Sequence, residues 1–67
     1  MNRRMESIKL MAALQPFTQT GIINAKKAQH FVESYKQGDT DEIRAFTLDP
    51  SLPISMQPLI DKVAQFI

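Results

Sequence analysis

A chain of 67 residues with no cysteine has room for one small core and no disulfide or thiolate metal site to staple it, so a single helical domain spanning residues 1–67 with modest net stability is expected. No apolar run approaches the length of a membrane span, and residues 1–6, Met-Asn-Arg-Arg-Met-Glu, are not followed by the unbroken apolar stretch of a secretion signal. A cytoplasmic, reducing setting is the expectation from these absences. The net charge of +1 hides an asymmetry: residues 1–36 hold six cations against two carboxylates, a net of +4, and residues 37–67 hold two cations against five carboxylates, a net of −3. Such a dipolar chain can steer a charged partner or pair with itself.

Met5, Ile8, Met11 and Ala12, widened by Leu10 and Leu14, recur at helical spacing and predict a first helix from about Asn2 to Leu14, ended by the bias that Pro16 places on Gln15. Its apolar positions wrap more than half the cylinder, which is more than one core-facing stripe needs. A polar turn through Thr18, Gln19, Thr20 and Gly21 follows, with Phe17 as its anchor. Asn24 suits the N-cap of a second helix, with Ile23 and Ala28 flanking it as a staple.

Ala25, Ala28, Phe31, Val32 and Tyr35 make residues 25–37 the clearest amphipathic helix, closed by Gly38 with Lys36 beside the negative end of the dipole. Asp39 or Thr40 caps a short third helix, whose acidic first turn, Asp41 and Glu42, lies where free amides are concentrated. Ile43, Phe46 and Leu48 form its apolar side, and Pro50 stops it by Asp49. Leu52 and Ile54 are expected to fill gaps in the core beside an ordered Asp49–Pro53 turn. The last helix begins near Ser55, with Pro58 tolerated in its first turn, and Leu59, Ile60, Val63, Ala64, Phe66 and Ile67 complete an apolar face. The fold class that follows is all-α, a compact bundle of about four short helices, with Ile8, Ala28, Phe31, Val32, Tyr35, Ile43, Phe46, Leu59 and Val63 at its core.

The chemistry of a catalyst is not visible in these residues. His30 is the one imidazole; Glu33 and Ser34 follow it on the same helix, where they cannot flank the ring in triad geometry, and two ligands at one helical spacing close no metal site. Neither a nucleophile elbow nor a glycine-rich phosphate loop is present, and the group Asp39, Asp41 and Glu42 lacks the glycine and distal Glu of a calcium loop. No enzymatic activity and no cofactor are expected. Lys26, Lys27 and His30 share a surface of the second helix, with Arg3 and Arg4 upstream, and form the strongest phosphate-reaching group in the chain. Against it, a helix-turn-helix built on the second and third helices would open its recognition helix with Asp39, Asp41 and Glu42, which repel phosphate.

Methionines suit adaptable contact surfaces, and a core this small does not enclose both the broad first helix and the apolar C-terminus, so a patch of Met5, Ile8, Phe66 and Ile67 is expected to face a partner. The function these features favour is non-catalytic protein–protein interaction: a small adaptor, inhibitor or regulator of a larger protein, able to form a homodimer. Chains of this kind are frequent among phage and mobile-element proteins that modulate host machinery. The partner-contacting residues would be Arg3, Arg4, Met5, Ile8, Lys26, Lys27, His30, Phe66 and Ile67. The alternatives are a small DNA-binding transcriptional regulator, using the second helix and the Arg3–Arg4 arm, and a structural subunit of a larger assembly.

Overall fold

In the computed structural model, which describes residues 3–67, the apolar periodicities resolve into four α-helices: α1 (Arg3–Gln19), α2 (Ala25–Lys36), α3 (Asp41–Thr47) and α4 (Gln57–Ala64). A single 3₁₀ turn, Ile54–Met56, leads into α4. The first of these packs against α2 and α4, while α3 packs against α2 and α4 from the other side. No described helix is long and apolar enough to cross a membrane.

The second helix forms where its stripe and its caps agree. The Asn24 side chain accepts from the Lys26 amide at 2.7 Å, and the apolar positions Ala28, Phe31, Val32 and Tyr35 are all buried. At the far end Gly38 takes φ +90°, its amide donates to the Tyr35 carbonyl at 3.0 Å, and the Asp39 amide donates to that of Ser34 at 2.9 Å. This is the paired closure of a Schellman motif, and Gly21, with φ +78°, ends α1 in the same way through Gly21 to Thr18 at 3.2 Å and Ile22 to Phe17 at 2.9 Å. A Cβ added to Gly38 would meet the Arg3 guanidinium carbon at 3.5 Å and would sit at a backbone angle that side chains rarely adopt. Gly38→Ala should therefore cost about 1 kcal/mol or slightly more, read as a lowered urea midpoint with an unchanged slope.

The first helix departs from the sequence expectation twice. Its start at Asn2 lies outside the described residues, but its end is Gln19, not Leu14, because Pro16 is accommodated inside it. Proline disfavours the helical region for the residue before it without forbidding it, and here the loss is limited to one bond on an exposed surface: the Ala12 carbonyl cannot receive an amide from residue 16. Beyond the proline, Thr18 Oγ1 donates to the Gln15 carbonyl at 2.9 Å and Thr20 Oγ1 to that of Pro16 at 3.0 Å. The extra turn carries Phe17 onto the core.

The second departure is in which face turns inward. Leu10 and Leu14, with Ser7 one turn earlier, are buried, and Ile8, expected in the core, is 56% exposed. Both sides of this helix are apolar, so period alone does not choose between them; the choice falls to the face that continues into Phe17. Burying Ser7 there is tolerable because its hydroxyl donates to the Arg4 carbonyl at 2.7 Å.

The remaining core positions agree with the sequence pattern: Ala28, Phe31, Val32, Tyr35, Ile43, Phe46, Leu59 and Val63 are buried, joined by Leu10, Leu14 and Ile23. Phe31 meets Phe46 edge-on at 5.4 Å between ring centroids, and Phe66 meets Tyr35 edge-on at 6.0 Å. In α3, Ile43 and Phe46 point inward one turn apart, whereas Leu48 occupies the C-cap position and is exposed. Leu52 packs on the core as expected, but Ile54 does not; it opens the 3₁₀ turn and is 90% exposed, Leu52 and Met56 having taken the neighbouring space.

Between α3 and the 3₁₀ turn, the Asp49 carboxylate accepts from the Ser51 hydroxyl at 2.6 Å and from its amide at 2.9 Å. Those two bonds, the hydroxyl first, hold the carboxyl below its ordinary value of 3.8, with the Lys27 charge adding to them. A depressed carboxylate stabilises the turn above its unfolded pKa, and that contribution is lost as pH falls through the folded value. Ser51→Ala should raise the Asp49 pKa toward 3.8, seen as a shifted carboxyl titration by NMR.

Candidate protein-contact surface

Because α1 buries Leu10 and Leu14, the apolar residues on its other side are left outward. Met5, Ile8 and Met11 are 54%, 56% and 54% exposed, and Ala12 between them is exposed as well. At about 100° per residue, Met5, Ile8 and Ala12 fall within roughly 60° of one another around the helix, on the side away from Leu10 and Leu14, and Met11 lies at their edge. Isolated exposed apolar residues are ordinary on a protein surface; three large ones in two turns of one helix form a contiguous strip.

Met11 also borders a shallow groove of about 390 Å³ between α1 and α2, lined by Leu14 and Thr18 on one wall and by Ala25, Ala28 and Val32 on the other. The groove exists because α2 presents alanines toward α1, too small to fill the space beside Met11 and Leu14. The sequence reading missed both the groove and the outward placement of Met11. The alanine spacing in α2, set against long side chains in α1, was the available signal.

The C-terminal part of the expected patch is divided. Phe66 is half-buried against Tyr35, and Ile67 is 47% exposed. Phe66 is thus covered in part from within the fold.

Of the basic residues expected to meet a partner, Lys27, His30 and Arg3 have neighbours within the fold. Lys27 Nζ sits 5.7 Å from the Phe31 ring centroid and 5.9 Å from that of Phe46, in a depression that also contains Glu42 and Asp49. His30 Nε2 lies 2.7 Å from Glu42 Oε2, so its partner is a carboxylate on α3 and not Glu33 or Ser34 on its own helix. Arg3 lies beside Gly38 at the C-terminal end of α2, where a positive charge complements the helix dipole. Lys26 and Arg4 are exposed. The acidic first turn of α3 thus lies beside the Lys27–His30 side of α2.

Among the described residues, no three His, Asp or Glu side chains gather at metal-binding spacing. The geometry at His30 supplies one imidazole and one carboxylate, both well exposed. What the surface offers chemically is apolar area on α1 and a group of polar and charged side chains between α2 and α3. Comparison of the chain with protein-family models, with curated proteins and with solved structures gives no match.

Proposed function

We propose that the protein is a non-catalytic protein–protein interaction module, a small adaptor, inhibitor or regulator acting in the cytoplasm, whose contact surface is the outer face of α1. The observation that carries this reading is the exposure of Met5, Ile8 and Met11 on a helix whose opposite face, Leu10 and Leu14, already serves the core. Leaving that much apolar surface in water is unfavourable by roughly 25 cal/mol per Å², a cost that burial against another protein removes. Methionines at two of the three positions suit it further, since thioether side chains adapt their shape to a facing surface.

The alternative of direct DNA binding loses ground on the same surface analysis. Lys27 and His30 already face the rings and carboxylates described above, so a phosphate would have to compete with Glu42 and Asp49 for them. Arg4 and Lys26 alone make a small electrostatic footprint.

The test is capture of partners from nuclease-treated lysate by the tagged wild-type chain and by Ile8→Glu. A charge at the centre of the strip should lower recovery of the captured protein by at least about 30-fold, the loss expected for a buried anchor, while helicity by circular dichroism is unchanged. Equal recovery with Ile8→Glu would remove the α1 face as the contact surface. Recovery that depends on intact nucleic acid, and that falls when Lys26 and Lys27 are changed to Ala, would favour the DNA-binding alternative.

A further inference from the structure

We draw no further inference here: the strongest candidate, the outward apolar face of α1 carrying Met5, Ile8 and Met11 together with the shallow groove that Met11 borders against α2, belongs to the contact surface already described, and nothing in the structure shows what covers it.

Discussion

Leu10→Ala should leave the protein largely unfolded at physiological temperature, whereas Ile8→Ala, two residues away on the same helix, should leave its melting temperature nearly unchanged. Leu10 is completely buried between α1 and its neighbours, and Ile8 is more than half exposed. Truncating a buried leucine removes transfer free energy and leaves a cavity, together about 2–5 kcal/mol. A domain of this size without disulfides or metal has about 3–5 kcal/mol in total, so one such loss consumes most of it. Surface truncation lies within about 0.5 kcal/mol. Thermal and urea unfolding followed by circular dichroism would measure both. Similar losses from the two variants, or a larger loss from Ile8→Ala, would mean that α1 is rotated relative to the arrangement described.

The second large effect belongs to Phe31, which is 2% exposed and joins α2 to α3 through its edge-on contact with Phe46. Phe31→Ala should cost about 3–5 kcal/mol, enough to abolish cooperative unfolding at room temperature. Phe31→Leu, which keeps most of the volume, should retain the fold at a loss of about 1.5 kcal/mol or less. Part of the loss in Phe31→Leu comes from Lys27, whose ammonium lies over both rings. A double-mutant cycle pairing Phe31→Leu with Lys27→Ala should give a coupling of about 0.5–1 kcal/mol, the range for an exposed cation over an aromatic face. Zero coupling would make the Lys27 contact incidental and return that side chain to the pool of free surface cations.

Where the sequence was legible, local and long-range demands agreed. In α2 a single apolar stripe, a side-chain cap at Asn24 and a left-handed glycine at 38 all specify the same helix, and its four buried positions follow from period alone. The same holds for Leu59 and Val63 in α4. In α1 the demands conflict: residues 5, 8 and 12 and residues 7, 10 and 14 both read as stripes, and only packing against α2 and α4 selects the second. Pro16 adds to the difficulty, since a proline whose lost bond falls on an exposed carbonyl can be absorbed instead of ending the helix.

The candidate surface was legible in part for the same reason. Excess apolar width on α1 signalled that something would remain outside, and Met5 and Ile8 do, but Phe66 found a partner in Tyr35 that sequence spacing could not reveal. The basic face of α2 read as free because its partners are distant in the chain. Glu42 is twelve residues from His30, and Asp49 lies beyond α3, where neither is reached by reasoning within one helix.

The central claim is that Met5 and Met11 face outward in the free protein and become covered when the α1 face is engaged. Methionine oxidation by dilute peroxide, mapped by mass spectrometry, tests it directly, with half-buried Met56 as the internal reference. In dilute protein Met5 and Met11 should oxidise several-fold faster than Met56 without loss of helicity, and both should become protected when a partner engages the α1 face. Slow oxidation of Met5 and Met11 in the dilute chain, or unfolding when they oxidise, would place them in the core and contradict the account.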